Sequence, residues 1–239
     1  MKRAAIRIDV LTIFPKMFQE VFSGSLLGKA REKKRIDLRV HDLRDYADDQ
    51  HRTLDDRPFG GGPGMVLKPE PVFRALRALG VPEKKRKNTG PWVVYPSPQG
   101  RPFTQKRADQ WSGKKHLVLL CGRYEGIDER LFPWIDEEIS LGDVVYAGGE
   151  IPAMAVVDAV ARKVPGVVKE PESLYWESFA EGWGGRLDCP CYTRPALWRG
   201  LRVPEVLLKG NHQAIQAWRA KKSLEYTRKK RPDLLTTKP

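Results

Sequence analysis

Apolar and polar residues follow the periods of strands and helices over most of the chain. Alternation from Ile6 to Ile13 predicts a first strand, and apolar runs predict further strands at residues 36–40, 92–95 and 116–121. Helical patterns with suitable first residues predict helices at residues 15–22, 71–79 and 104–111. Strands that alternate with helices favour an α/β fold, in which a parallel sheet is covered by helices on both faces.

The pattern changes after a long helix that is predicted from Pro152 to about Val164. Residues 169–187 show no sustained period and contain several Pro and Gly residues, which predicts a linker. Farther on, Asn211 is a suitable N-cap for a basic helix that Pro232 would end. We therefore expect an α/β domain over residues 1–168, a linker over residues 169–187, and a small helical domain over residues 188–239.

Composition and charge narrow the class of protein. Of 239 residues, 41% are hydrophobic and 31% charged, which excludes a disordered chain and a disulfide-stapled miniprotein. The net charge is +13, and residues 188–239 hold twelve basic and four acidic side chains, a net of +8. A basic appendage on a milder body favours a polyanionic partner, and nucleic acid is the first candidate. The run Lys84–Lys87 is interpreted as a solvated loop, with contact to RNA as the alternative.

The cysteines and histidines indicate a cytoplasmic protein without a zinc site. Cys121, Cys189 and Cys191 are odd in number and cannot all pair, which fits a reducing compartment. The apolar runs are too short to span a membrane, and the first residues do not form a signal peptide. The four histidines lie far apart in the sequence and form no His-x-x-x-His pair for zinc. Cys189 and Cys191 are separated by one residue and no second cysteine pair exists, so we expect these thiols to be structural.

Three segments combine glycines with charged side chains: residues 55–65, 121–130 and 140–150. None of them is a nucleotide-binding Gly-x-Gly-x-x-Gly or Gly-x-x-x-x-Gly-Lys-Ser/Thr motif. Each alone is compatible with an ordinary turn, because Gly and Pro are common there. The segment 121–130 follows a predicted buried strand, however, and ligands of α/β proteins bind at the carboxyl ends of strands. Three such segments in one domain favour a ligand site.

These segments, together with Ser97–Gly100 and the run from Leu187 to Pro195, resemble the TrmD family of bacterial tRNA (guanine-N1)-methyltransferases in the SPOUT superfamily. The motifs follow one another in family order over nearly the whole chain. The resemblance implies a SPOUT-type parallel sheet with a deep trefoil knot, a linker, and a helical C-terminal domain that binds tRNA. It also implies a homodimer whose active sites are shared between subunits. The implied reaction transfers a methyl group from S-adenosylmethionine to N1 of the guanosine immediately 3′ of the tRNA anticodon.

The same resemblance assigns site residues. The expected cofactor contacts are fourteen residues of the glycine-rich segments and their neighbours: Pro96, Ser97, Gly122, Tyr124, Gly126, Leu141, Gly142, Asp143, Val144, Val145, Tyr146, Gly148, Gly149 and Pro152. Contacts to the RNA are expected from His51, Asp55, Arg57 and Asp188. Mg²⁺ is a candidate cofactor near the carboxylates of Glu125 and Asp188.

The chemistry of the reaction calls for a base and a cation. N1 of guanine loses a proton as the methyl group arrives, and negative charge develops on O6. The matching family positions are Glu177, where the family has Asp, and Arg162 on the helix after the knot. The glycine-rich run 182–186 also makes the linker three residues longer than the family pattern. Two alternatives stay open: a ribose 2′-O-methyltransferase of the same superfamily, and a non-catalytic RNA-binding protein.

Overall fold

The computed structural model describes residues 6–84 and 90–236, and the chain divides into two compact units, Met1–Lys169 and Glu170–Pro239. The basic run Lys84–Lys87 lies almost entirely outside the described residues. Within the part of the chain that is described, no helix is long and apolar enough to cross a membrane.

The first unit contains a five-stranded sheet in which all neighbours are parallel, in the order β2-β1-β6-β5-β7. Its strands are β1 (Ile6–Thr12), β2 (Ile36–Asp42), β5 (Trp92–Pro102), β6 (His116–Leu120) and β7 (Glu137–Ser140). A separate antiparallel pair is formed by β3 (Asp55–Asp56) and β4 (Val66–Leu67). The prediction of a parallel α/β fold is therefore confirmed for this unit.

Helices of the first unit cover both faces of the sheet. They are α1 (Gln19–Ser23), α2 (Ser25–Glu32), α3 (Pro69–Ala78), α4 (Gln105–Ser112) and α5 (Glu150–Ala161), with 3₁₀ turns at Pro15–Phe18, Leu43–Tyr46 and Glu129–Trp134. Leu117 and Leu119 of β6 pack in the core beneath α1, α2, α4 and α5. Val118 and Leu120 alternate with them and pack in the core beneath α3. Burial on both faces explains why β6 reads as a continuous apolar run rather than as alternation.

The helix boundaries follow local chemistry. The Thr104 hydroxyl accepts the Arg107 N–H at the start of α4, as expected of an N-cap. The helix predicted from Pro152 begins two residues earlier, at Glu150, and ends at Ala161. Pro152 still lies in the first turn, where a missing N–H costs no hydrogen bond. The pattern did not predict β7, because Glu137 and Glu138 make this four-residue strand read as polar.

Strand β5 is longer than predicted because it contains a bulge. Pro96 and Arg101 both pair with Ile139 of β7, so Ser97–Gly100 leave the ladder between them. We call these four residues the β5 bulge. A Cβ on Gly100 would lie 2.3 Å from the backbone of Ile139, so only glycine allows the strand to return this closely.

The second unit contains short elements around one long helix. They are α6 (Glu172–Tyr175), β8 (Leu197–Trp198), β9 (Leu201–Arg202), α7 (His212–Lys230) and α8 (Asp233–Thr236), with 3₁₀ turns at Glu181–Trp183 and Glu205–Leu207. The Asn211 side chain accepts the Ala214 N–H, which confirms the predicted cap of α7. Residues 169–187, interpreted as a linker, fall almost wholly within this unit. There the rings of Trp176 and Trp183 pack with centroids 5.0 Å apart.

Candidate active site

A cavity of about 340 Å³ lies at the carboxyl ends of β6 and β7, beside the bulge in the middle of β5. Its walls are the β5 bulge, the loop after β6, the loop after β7 and the first turn of α5. These segments are far apart in the sequence. They meet because the carboxyl ends of neighbouring parallel strands share one edge of the sheet, which is where open α/β sheets bind ligands.

Twelve of the fourteen expected cofactor residues line this cavity: Pro96, Ser97, Gly122, Tyr124, Gly126, Leu141, Val144, Val145, Tyr146, Gly148, Gly149 and Pro152. The other two, Gly142 and Asp143, lie in the loop after β7 but outside the lining. Gly142 has a φ of +120°, and its N–H donates to the Ser140 hydroxyl at 3.1 Å. Its position therefore fits a role in turning the loop.

Glycines let two loops and one tyrosine pack tightly at the cavity. A Cβ on Gly122 would lie 2.8 Å from the Tyr95 hydroxyl, and one on Gly126 would lie 2.9 Å from the same oxygen. The Gly149 N–H donates to the Gly122 carbonyl at 2.8 Å, which joins the loop after β6 to the start of α5. Without side chains at these positions, backbone N–H and C=O groups can approach a ligand directly.

A buried carboxylate fixes the elements that carry these loops. Glu150, the first residue of α5, is 1% exposed; it accepts the Thr12 hydroxyl at 2.8 Å and Arg123 Nε at 2.9 Å. Arg123 also donates to the Ala147 carbonyl at 3.2 Å, and its guanidinium lies 4.4 Å from the centre of the Phe14 ring. The end of β1, the loop after β6 and the start of α5 are therefore linked by charge-assisted hydrogen bonds.

Two further hydroxyl groups line the cavity, those of Ser97 and Tyr95. The Ser97 hydroxyl donates to Glu138 at 2.5 Å, which attaches the β5 bulge to β7. Burial and the nearby charge of Glu138 raise the pKa of Tyr95 to about 12. This phenol therefore remains protonated at neutral pH.

Two expected RNA contacts of the first unit, Asp55 and Arg57, lie on a hairpin that joins the cavity wall, and His51 lies four residues before this hairpin. Asp55 is half-buried in β3, which pairs with β4, whereas His51 and Arg57 are exposed. We call residues 55–67 the Gly-Pro hairpin. The Glu125 N–H donates to the Met65 carbonyl at 3.0 Å, so this hairpin is attached to the loop that lines the cavity.

The structure places the two expected catalytic residues in different units. Arg162 is half-buried at the end of α5 in the first unit. Glu177 is half-buried in the second unit and begins a turn in which its carbonyl accepts the Ala180 N–H at 3.2 Å. The Trp183 indole donates to the Trp176 carbonyl at 2.5 Å and closes the same turn. Asp188 follows this turn, and its N–H donates to the Ser178 hydroxyl at 2.9 Å.

The cysteines are free thiols, and two of them, Cys121 and Cys189, are poorly suited to nucleophilic chemistry. Burial, together with the charge of Glu150, raises the pKa of Cys121 well above its ordinary value. Burial and the charge of Asp188 raise the pKa of Cys189 to about 11. In residues 6–84 and 90–236, no group of three or more His, Cys, Asp and Glu side chains could hold a metal ion. Glu125 and Asp188, the residues considered for Mg²⁺, lie in different units.

Sequence reasoning missed the roles of Thr12, Arg123, Glu138 and Glu150. Arg123 and Glu150 lie inside the glycine-rich segments, so their charge was the available signal. Thr12 and Glu150 are 138 positions apart. No local pattern can connect residues at that separation.

The parallel sheet and its glycine-built cavity define an α/β protein with a candidate small-ligand site at one edge of the sheet. A family model described as tRNA (Guanine-1)-methyltransferase TrmD matches residues 6–237. The chain belongs to this family.

Individual relatives agree with the family model, and each is named tRNA (guanine-N(1)-)-methyltransferase. The protein of Dictyoglomus turgidum is 52% identical over 230 residues, which cover 96% of this chain and 90% of the relative. The protein of Leifsonia xyli subsp. xyli is 52% identical over 237 residues, covering 96% and 100%. That of Geobacillus kaustophilus is 48% identical over 235 residues, covering 98% and 93%.

Proposed function

We propose that this chain transfers the methyl group of S-adenosylmethionine to N1 of the guanosine immediately 3′ of the anticodon in tRNA. Membership in the TrmD family and the names of the relatives support methyl transfer to N1 of guanine in tRNA. They give no support to ribose methylation or to RNA binding without catalysis. The cavity formed by the β5 bulge and the carboxyl ends of β6 and β7 is the observation that supports the cofactor and its position.

The cavity fits S-adenosylmethionine in size and chemistry. Its volume is within the range of small-molecule sites, about 300–1,000 Å³. Leu141, Val144 and Pro152 offer apolar contacts, and the glycine backbones offer donors and acceptors. When bound, the cofactor supplies a methyl group on a positively charged sulfur. We also infer that the loops after β6 and β7 form the trefoil knot of the family. The Arg123–Gly148 bridge between them supports this inference.

In this proposal Glu177 accepts the N1 proton and Arg162 stabilises the charge that develops on O6. The attacking atom is a ring nitrogen of the substrate, so the proposal has no covalent cysteine step, and the raised pKa values of Cys121 and Cys189 agree with this. His51, Asp55 and Arg57 contact the RNA around the target guanosine, and Asp188 contacts it from the second unit. No step is assigned to Mg²⁺, because the described residues offer no metal-binding cluster.

The proposal includes a homodimer in which the second unit of one subunit completes the active site of the other. The separation of Arg162 and Glu177 into two units is compatible with this arrangement. The second unit also leaves large aliphatic side chains exposed, which a partner surface would cover: Leu197, Leu201 and Leu208.

The test combines calorimetry with mapping of the product. The parent should bind S-adenosylmethionine without RNA, and mass spectrometry of a reacted tRNA transcript should locate one methyl group at the guanosine after the anticodon. Gly122→Val should abolish cofactor binding, because its side chain would meet Tyr95 in the cavity wall. Gly113→Ala is the control, since a Cβ there has its nearest neighbour at 3.7 Å and lies at the end of α4.

Tyr146→Ala is a second cavity variant that leaves the core intact, because this side chain is 37% exposed. It should weaken cofactor binding roughly tenfold, as expected for the loss of one aromatic contact. If Gly122→Val and Tyr146→Ala both bind S-adenosylmethionine as tightly as the parent, the cofactor site lies elsewhere. A methyl group on a ribose would overturn the proposed reaction.

A further inference from the structure

A second and larger cleft, of about 760 Å³, lies wholly within the second unit. It is bounded by the chain from Asp188 to Ala196, by the first half of α7 and by Trp176 and Trp183. We call it the second-unit cleft. Of its lining residues, only Asp188 has a role in the proposed function.

Aromatic rings are the main feature of its walls. Tyr192 and Trp218 have ring centroids 6.2 Å apart at an interplanar angle of 57°, and Trp176 and Trp183 form a second ring pair. Tyr192 is 48% exposed, so its ring is available to a ligand. Flat heteroaromatic groups bind such surfaces by stacking, and every nucleobase offers a face for it.

Charged and polar side chains surround these rings. Arg194 and Arg219 line the cleft and are exposed. Asp188 and Gln216 also line it and offer hydrogen bonds to the edge of a bound base. Residues 188–239 carry a net charge of +8, so an anionic chain is the complementary occupant. Bases inside a duplex cannot enter a concave cleft, whereas unpaired bases can be splayed out and stacked.

We propose that the second-unit cleft binds one unpaired nucleobase of the tRNA substrate, stacked on Tyr192 or Trp218, with Arg194 and Arg219 near the adjoining phosphates. This inference rests on the proposed function, since it takes tRNA as the substrate. It adds a second point of base recognition, separate from the target guanosine.

The test measures binding of an unmodified tRNA transcript to the full-length protein at several salt concentrations. Trp218→Ala and Tyr192→Ala should each lower affinity roughly 5- to 150-fold, the range that corresponds to losing one stacked base. The slope of log affinity against log salt should not change, because stacking releases no counterions. Arg219→Ala should reduce that slope by about 0.7, as for one contact to a single-stranded phosphate.

Trp198→Ala is the matched control. Trp198 is an exposed tryptophan of the same unit and does not line the cleft. It belongs to β8, and the Arg199 guanidinium lies over its ring. Its loss should leave the affinity for tRNA nearly unchanged. Trp218→Phe keeps a ring for stacking and should retain most of the affinity. It replaces Trp218→Ala in the test if circular dichroism shows that Trp218→Ala is unfolded.

Three results would overturn the inference. One is unchanged tRNA affinity in the Tyr192 and Trp218 variants, and another is an equal loss in Trp198→Ala. The third is a change in the sedimentation of the RNA-free protein without a change in RNA affinity, since the cleft would then hold a second copy of the chain. S-adenosylmethionine binding should be the same in all variants. A parent that binds tRNA but no cofactor would contradict the proposed function and leave the cleft test valid.

Discussion

The two units of this chain are built in opposite ways. In the first unit, six of the seven residues of β1 are buried, and helices cover both faces of the sheet. Among the described residues of the second unit, only four are buried: Ala180, Trp183, Ser223 and Thr227. The first unit therefore has a core that can hold a small-molecule site rigidly, whereas most side chains of the second unit remain at its surface.

The two units also differ in their buried polar groups, which include two carboxylates in the first unit and are hydroxyls in the described part of the second. Asp9 and Glu150 of the first unit are carboxylates with charged or histidine partners inside the core. In the second unit the Ser223 hydroxyl donates to the Leu187 carbonyl at 2.6 Å, and the Leu187 N–H donates to the Thr227 hydroxyl at 3.1 Å. These bonds attach the chain near Glu177 to α7. In the proposed function, the first unit holds the cofactor and the second unit presents groups to the RNA.

The largest expected effect tests whether the second unit supplies chemistry. Glu177→Gln keeps the side chain's shape and removes its proton-accepting ability. It should lower the single-turnover rate of methyl transfer about 10²–10⁴-fold, with S-adenosylmethionine affinity unchanged. Glu177→Asp is the control, because it keeps the carboxylate and restores the family's residue. A parental rate in Glu177→Gln would show that the base is another group, and Asp188 would be examined next.

A second experiment tests whether the units cooperate across a dimer. Arg162→Ala and Glu177→Gln proteins should each be nearly inactive. If each site takes these residues from different subunits, equal mixing should restore about a quarter of the parental activity, because half the dimers are mixed and each has one intact site. The control mixes Arg162→Ala with itself at the same total concentration. An active monomer in sedimentation, or no recovery after verified subunit exchange, would contradict shared sites.

The third prediction compares the two units in stability. Leu119 is fully buried in β6, so Leu119→Ala should lower the free energy of unfolding by about 2–5 kcal/mol. Leu201 is 69% exposed in β9, and Leu201→Ala should change it by no more than about 0.5 kcal/mol. Urea unfolding followed by circular dichroism measures both. Equal losses would mean that Leu201 is buried in solution, as a dimer contact would make it.

The smallest expected effect is on how the free energy of unfolding depends on pH in the acid range. Burial opposes ionisation of Asp9, but hydrogen bonds from His116, His41 and Arg7 outweigh it and hold the pKa of this carboxyl well below its usual range. An unfolded aspartate titrates near about 3.9. The Asp9 contribution to stability should therefore be complete above that pH and decline as pH falls below it, because the unfolded chain binds the proton first.

Asp9→Asn should remove this part of the acid dependence in urea unfolding measured between neutral pH and pH 3. Asp233→Asn is the matched control from the second unit. The pKa of Asp233 is also lowered, by a hydrogen bond from Arg231, but this pair is exposed and screened by solvent. The same acid dependence in the parent and in Asp9→Asn would show that other carboxyls determine it.

Sequence reasoning was accurate where chemistry is local. The cap residues Thr104 and Asn211 begin their helices as predicted, because capping involves only the next turn. The glycine-rich segments 121–130 and 140–150 lie together because they follow β6 and β7, whose carboxyl ends lie at the same edge of the parallel sheet. Strand β7 was missed because its two glutamates mask the burial of Ile139. The contacts of Glu150 with Thr12 and Arg123 depend on the folded chain, and the packing of Trp176 on Trp183 lies in a segment without a period.

The β5 bulge separates the residues of this strand that pair in the sheet from those that line the cavity. Its flanking residues Pro96 and Arg101 both pair with Ile139, so the register of the sheet is set outside the bulge. Pro98 and Gln99 line the cavity without taking part in the ladder. Sequence changes at these two positions can therefore alter which ligand is accepted while the sheet keeps its pairing. Gly100 is the exception, since any side chain there meets the Ile139 backbone. In evolutionary terms, the bulge lets ligand preference drift independently of the fold.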